Sequence, residues 1–341
     1  MSRCIYLYVN IWVFIQVGGC RATISSTSGN PTRNTTLHSA SSSRVESQPK
    51  PQAEPGNPLP EIVPTTSPQS PDEVSNVVTD PKYVTEYEIE FRKCKSQVVP
   101  RENPRELLDP YVLASAHAEF VVDGFGSLRV QDELGQGMYG KVFSFYETSA
   151  IILKGAKSDH GRDDLCWERS LQRVLGGLNG GAPRDHLITE MPAEFDPLFR
   201  SRVLVMDRKG DAEWGDVVLE ENETFFIRFA RLLTIVRDLH QKGFIHDDIK
   251  GCNIRVGITD PQDVTLIDFG QAVPFIDSLG HHLPDVTRKR DLVNLVEVAR
   301  AIRGLKPWLV QFEDAVNQMT DSSDFDYNHW ISKFRAMKEL K

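Results

Sequence analysis

The chain lacks a run of the roughly twenty apolar residues that a membrane-spanning helix needs. Its leading apolar stretch, Cys4 to Val17, is shorter and is interrupted by Asn10 and Gln16. It also lacks a basic excess. The net charge of −9 excludes the electrostatic footprint of a nucleic-acid binder. It lacks a C-x-x-C pair: the five cysteines, at 4, 20, 94, 166 and 252, are scattered, which argues against a zinc site or a dense disulfide framework. From Arg21 to Asp80 there is no Phe, Trp, Tyr or Cys, yet nine of the twenty prolines fall there. Such a segment cannot bury enough apolar surface to offset an ordering cost of about 1–2 kcal/mol per residue.

What is present begins with a targeting pattern. Arg3 precedes the apolar stretch, and Cys20-Arg21-Ala22 follows it, so residues 1–22 read as a secretory signal cleaved before Thr23, with an uncleaved anchor as the alternative. Removal of the first two cysteines would leave three, at least one of them unpaired within the chain. Residues 23–82 read as a disordered stalk or propeptide, with Asn34-Thr35-Thr36 as a glycosylation acceptor. Residues 83–125 form an N-terminal extension. Within it Tyr83 to Val98 suits either a strand or a helix, and Leu107 to Phe120 reads as a short helix. Residues 126–341 make up the principal domain.

In Ser127 to Val142, SLRVQDELGQGMYGKV, Gly135, Gly137 and Gly140 form G-x-G-x-x-G. Glycines let backbone N–H groups approach phosphates closely. In a dinucleotide-binding turn these glycines open a helix. Here Val142, Phe143, Phe145 and Tyr146 favour a strand, so the pattern reads as a lid over a nucleotide. Ala150 to Lys154 is a buried-looking strand ending on a lysine suited to α- and β-phosphates. Such a lysine needs a carboxylate to hold it. Asp164 to Leu178 has helical spacing, and Glu168 within it is the candidate, with Asp163 and Asp164 as rivals.

Arg202 to Met206 is another apolar strand. Asp207-Arg208-Lys209-Gly210 follows as a connector that can offer backbone donors and acceptors to an adenine edge. Thr224 to Gln241 reads as a long amphipathic helix, with Asn222 as its N-cap and Gly243 just past its end. Then comes GFIHDDIKGCNIRVGITDPQDVTLIDFG, Gly243 to Gly270. Asp248, Lys250, Asn253 and Asp268 at these spacings can gather metal ions, a phosphate and a hydroxyl; the alternative is a solvated polar loop between two strands.

Taken in order, GQGMYGKV, AIILK, Glu168, HDDIKGCN and DFG resemble the eukaryotic protein-kinase family from about Gly126 onward. The resemblance implies an α+β, bilobal fold with a β-rich N-lobe holding one main helix and a helical C-lobe. It implies ATP and Mg²⁺ as cofactors. Asp248 would accept or orient the proton of the attacking hydroxyl, and Lys250 would neutralise the transferring phosphate. Asn253 and Asp268 would hold Mg²⁺, whose hard charge prefers oxygen ligands. Lys154 would pair with Glu168 and the α- and β-phosphates, beneath Gly135, Gly137, Gly140 and Val142, while Asp207 and Lys209 border the adenine. Lysine two residues after the aspartate is similar to serine/threonine rather than tyrosine kinases. The layout of signal, Ser/Pro-rich stretch and divergent domain is similar to secreted rhoptry-type kinases of apicomplexan parasites.

Three departures stand out. Asp247 occupies the position where the family usually has an arginine that clamps an activation-segment phosphate, and a carboxylate there would repel one. Only 22 residues separate Asp268 from Asp291, which opens the helix DLVNLVEVARAI, and no A-P-E motif occurs, so the activation segment is abbreviated. Only 50 residues follow Asp291, enough for reduced C-terminal helices around Trp308 and Trp330.

The expectation is a secreted or secretory-pathway serine/threonine protein kinase, independent of activation-segment phosphorylation and acting on a protein substrate. It has no nucleic-acid partner and no stable membrane span once the signal is removed. A pseudokinase that binds and regulates a partner is the alternative, and a small-molecule or glycan kinase is the third reading.

Overall fold

Alternating apolar residues and glycine turns build a sheet, and longer three- and four-residue spacings build the helices packed beyond it. The computed structural model describes residues 79–96, 117–137, 140–156, 165–191, 201–217, 222–284, 286–301, 306–320 and 325–337. The signal, nearly all of the stalk, most of the Leu107–Phe120 helix, and the rivals Asp163 and Asp164 lie outside the described residues. The architecture is bilobal and α+β.

The first lobe is a seven-stranded sheet. Its strands are β1 (Glu119–Val122), β2 (Gly126–Gln136), β3 (Gly140–Phe145), β4 (Ile151–Ala156), β5 (Asp185–His186), β6 (Ile188–Glu190) and β7 (Val203–Asp207), in the order β5-β7-β4-β3-β2-β1-β6. Phe120, Val130, Phe143, Leu153, Val203 and Val205 fill one face and are fully buried. Successive side chains alternate across a strand, so Leu153 joins that core while Lys154, opposite Leu204 in β7, faces the other side. Phe120, expected at the end of a helix, lies instead in β1, paired with Leu128 of β2. Its bulk and that of Val122 fit the half-buried pleat. Gly135 is also a strand residue, set opposite Val142, so the glycine turn is tighter than the motif suggests.

Two helices accompany the sheet. Helix α1 (Lys82–Ser96) resolves the strand-or-helix ambiguity, burying Val84, Tyr87 and Cys94. Helix α2 (Cys166–Leu175) carries Glu168 in its first turn. It ends before Leu178 because Gly176 and Gly177 adopt left-handed φ of 57° and 77° and cap it.

The second lobe is organised on α3 (Glu223–Gln241). Asn222 caps it, its side chain accepting from the Phe225 N–H at 2.9 Å. Around α3 lie α4 (Lys289–Arg300), α5 (Pro307–Gln318) and α6 (Tyr327–Met337). Phe229 of α3 meets Trp308, Phe312 and Phe334 with ring centroids 5.0–6.0 Å apart. Short strands carry the polar loops: β8 (Ala212–Glu213), β9 (Phe244–Ile245), β10 (Ile254–Val256), β11 (Val264–Leu266) and β12 (Val273–Pro274). β10 pairs with β11 and β8, and β12 with β9. Beyond β12 the chain closes a small hairpin through an Ile276–His282 bridge. There Asp277 accepts from the backbone N–H groups of Leu279 and His281, each at 2.9 Å.

The two C-terminal helices thus complete the core rather than decorate it. Phe312→Ala is expected to lower the unfolding free energy by about 3–5 kcal/mol, read by urea denaturation; a loss below about 1 kcal/mol would mean that α5 is dispensable to the core.

Candidate active site

Two clusters of charged side chains lie close to the strands just described and are linked through backbone bonds. In the first, β4 presents Lys154 and α2 presents Glu168, and both are buried. Lys154 Nζ lies 2.7 Å from Glu168 Oε2 and 2.8 Å from Asp268 Oδ1. Burial works against the lysine's charge, but the two carboxylates outweigh it and raise its pKa. Burial likewise opposes ionisation of Asp268, and Lys154 overcomes it, holding the carboxyl below its ordinary range. Asp268 has a left-handed backbone, φ 64° and ψ 64°, which side chains other than glycine adopt at a cost of roughly 1–2 kcal/mol. The glycine turn lies over this cluster. The Gly137 N–H donates to Gly140 O at 2.8 Å, and a Cβ on Gly137 would sit 3.7 Å from Asp268 Oδ2. A Cβ on Gly140 would come 2.8 Å from Gly155 O and 3.2 Å from the Lys154 stem, so only glycine fits there. Val142 pairs with Lys154 in the ladder.

The second cluster is the loop after β9. Asp248 Oδ2 accepts from Lys250 Nζ and from Asn253 Nδ2, each at 2.9 Å, and Asn253 Nδ2 also reaches the Asp248 carbonyl at 2.9 Å. Burial lowers and Asp248 raises the Lys250 pKa, with a net upward shift. The clusters are joined by backbone bonds. The Ile267 N–H donates to Asn253 O at 2.9 Å, and His246 Nε2–H donates to Ile267 O at 3.1 Å.

Beneath the loop sits Asp291 of α4, fully buried. Its carboxylate accepts from the backbone N–H groups of His246 and Asp247, each at 2.8 Å, and from His240 Nε2 at 3.0 Å. Burial alone would raise its pKa, but these donors hold it below the ordinary value. His240 Nδ1 in turn accepts from the Tyr327 hydroxyl at 2.5 Å. Asp247, φ 62°, turns its side chain to Arg290, 2.8 Å away. Burial and the neighbouring Asp291 and Asp248 charges outweigh Arg290 and push the Asp247 carboxyl up to about 6.

The connector after β7 is more occupied than its sequence suggests. The Asp207 N–H donates to Arg184 O and the Arg208 N–H to Ala150 O, so these two donors serve the sheet rather than a ligand. The Asp207 carboxylate lies 2.7 Å from His186 Nε2 and 3.1 Å from Lys209 Nζ.

Among the described residues no three His, Cys, Asp or Glu side chains form a metal cage. Mg²⁺ asks for less, since it binds through one or two protein oxygens together with substrate phosphates. Asp268 and Asn253 supply a carboxylate and an amide oxygen from adjoining backbone, so the donor set fits. Four residues escaped the sequence reading. Trp167, beside Glu168, donates from Nε1 to Ala272 O at 2.6 Å. His240, Tyr327 and Arg290 support the loop after β9, and only Arg290's place next to Asp291 could have signalled its role.

Parts of the chain are similar to known protein kinases. Over 55 residues the chain is 47% identical to serine/threonine-protein kinase 1 of African swine fever virus, a stretch covering 16% of this chain and 18% of that protein. Over 78 residues it is 32% identical to a probable casein kinase I homolog of Encephalitozoon cuniculi, covering 21% of this chain and 24% of that protein. The chain thus spans about a fifth of the length of the curated relatives it matches. A solved structure of vaccinia related kinase 3 is similar at 14% identity and a TM-score of 0.48, over 74% of this chain and 95% of that one. No family model matches the chain.

Burial lowers the pKa of both His240 and His246. Below the unfolded value of about 6.5 the unfolded chain binds protons more readily than these rings do, so stability present at pH 7.5 falls with pH, by at most about 1.4 kcal/mol per unit per ring. Asp247, raised to about 6, has the opposite sign, losing its contribution as pH rises through that value. Denaturant titrations between pH 7.5 and 5.5 are expected to show a shallower loss of stability with falling pH in His240→Gln than in wild type; an unchanged slope would mean that His240 is not held neutral.

Proposed function

We propose that this protein-kinase-like chain transfers the γ-phosphoryl group of ATP to serine or threonine hydroxyls of protein substrates, with Mg²⁺ as cofactor. The observation that carries the reading is Lys154 shared between Glu168 and Asp268, opposite a loop in which Asp248, Lys250 and Asn253 bind one another. An ammonium has three donors; two carboxylates occupy two, and the third is suited to an α- or β-phosphate oxygen. Mg²⁺ held by Asp268 and Asn253 would neutralise charge on the phosphates. Asp248 accepts the proton of the attacking hydroxyl as its oxygen bonds to phosphorus and the bond to the β-phosphate oxygen breaks. Lys250, beside it, balances negative charge on the group in transfer. The protein contributes position and charge rather than covalent chemistry.

Activity independent of activation-segment phosphorylation is part of the proposal. Arg290 already pairs with Asp247, so the loop's charge is matched internally and presents no arginine to a phosphate. A secretory compartment is also proposed. A disulfide between Cys94 and Cys166 supports it, because such bonds persist in oxidising environments. Among the described residues no helix is long and apolar enough to cross a membrane. The two relatives compared above come from African swine fever virus and Encephalitozoon cuniculi, and the likeness to rhoptry-type kinases rests on chain layout alone.

Incubation of the purified full chain with labelled ATP, Mg²⁺ and generic protein acceptors tests the proposal. Asp248→Ala is expected to reduce incorporation by a factor of about 10²–10⁴, the usual worth of a positioned base. Equal incorporation by wild type and variant would favour the pseudokinase reading. Prior phosphatase treatment of the enzyme is expected to leave its activity unchanged within twofold; abolition would remove the claim of phosphorylation independence.

A further inference from the structure

Helix α1 has no part in the chemistry above, yet it touches both halves of the site. Its C-terminal end is bonded through Cys94 to Cys166, the first residue of α2 and two positions before Glu168. Along its length Tyr87 and Phe91 meet the Trp167 ring edge-on at 5.2 and 5.5 Å, and Glu90 lies 3.3 Å from Arg173 of α2. Its N-terminal end is fastened to the other lobe. The Asp80 N–H donates to Gln241 O at 3.0 Å, Lys242 Nζ lies 3.7 Å from the centre of the Tyr83 ring, and Tyr87 packs edge-on against Phe244 at 5.6 Å. Phe244 opens β9, which leads straight to His246 and the catalytic loop. Trp167 also donates to Ala272 O, two residues past the Asp268-Phe269-Gly270 turn.

A helix needs none of these contacts merely to cover a sheet. Together they connect α2 to the backbone on either side of the catalytic loop and limit the rotation that would carry Glu168 away from Lys154. We propose that α1 is a positioning element for the Lys154–Glu168 pair, with Trp167 and the Cys94–Cys166 disulfide as its two fastenings. This inference rests on the phosphotransfer reading but concerns which residues set the competent geometry. Trp167, Tyr87, Cys94 and Cys166 are positioning residues, acting on Glu168 through α2. Reduction of the disulfide by an external dithiol, which is itself oxidised to a disulfide as Cys94 and Cys166 become thiols, releases one fastening and makes activity sensitive to thiol–disulfide state.

The test uses the full chain, purified oxidised, in four forms: wild type, wild type reduced under native conditions, Cys94→Ser/Cys166→Ser, and Trp167→Phe, which keeps an aromatic ring and loses the N–H. All are assayed at a temperature where circular dichroism shows them folded. If the released helix holds the competent position about a tenth of the time, kcat falls about tenfold and affinity for a fluorescent ATP analogue weakens severalfold, with acceptor KM unchanged within twofold. Reoxidation restores the reduced wild type, and the serine variant ignores reductant. Unchanged kcat and nucleotide affinity in folded variants, with only a lower melting temperature, would overturn the inference and leave a stabilising staple. Should the serine variant fail to fold, Trp167→Phe and the reduced wild type decide by the same criteria. Should wild type show no Asp248-dependent transfer, the kinase reading fails by itself, and α1 is judged on analogue affinity alone: weakening supports it and constancy overturns it.

Discussion

One buried carboxylate holds the loop after β9 in place. Asp291 has no exposed surface, and an isolated charge in such a position would be costly enough to neutralise or to unfold its surroundings. It stays charged because three donors converge on it, two of them backbone N–H groups of the loop itself. The dependence is mutual. Those N–H groups sit where the backbone turns through the left-handed Asp247, and without an acceptor they too would be buried and unsatisfied. His240 and Tyr327 extend the same chain of bonds to α3 and α6, so a loop that acts at the surface is anchored through the lobe to its last helix.

The motif residues were legible because each sits within a few positions of its structural cue. A glycine turn between strand formers, a lysine at a strand end and an aspartate after a short apolar run all declare themselves locally. Glu168 was legible for a related reason: helical spacing from Leu165 to Leu178 places it near the start of α2. Boundaries were harder. Gly176 and Gly177 stop α2 early, and β2 runs on through Gly135 because pairing with Val142 overrides the reluctance of glycine to sit in a strand.

Features set by distant contacts were not legible. Cys94 and Cys166 are 72 residues apart, and spacing alone cannot choose among the pairings of scattered cysteines. The stretch from Tyr83 mixes aromatic and charged residues, and only its packing against α2 decides for a helix. Trp167 carries no signal beyond being aromatic. Asp247 shows in the sequence as the absence of an arginine, but its partner does not, because Arg290 meets it only once α4 docks under the loop.

The sheet gives the first lobe a beginning that its motifs conceal. The family-like pattern starts near Gly126, which invites cutting the chain there. β6 is joined to the sheet through β1 alone, and β1 precedes that point. A fragment starting at Gly126 would therefore shed β1, lose the anchor of β6 and leave β2 as a bare edge, a template for pairing with other chains. It would also uncover Trp167 and Phe244 where Tyr87 now lies. The folding unit is longer than the signature that advertises it, and it takes in helix α1 and strand β1.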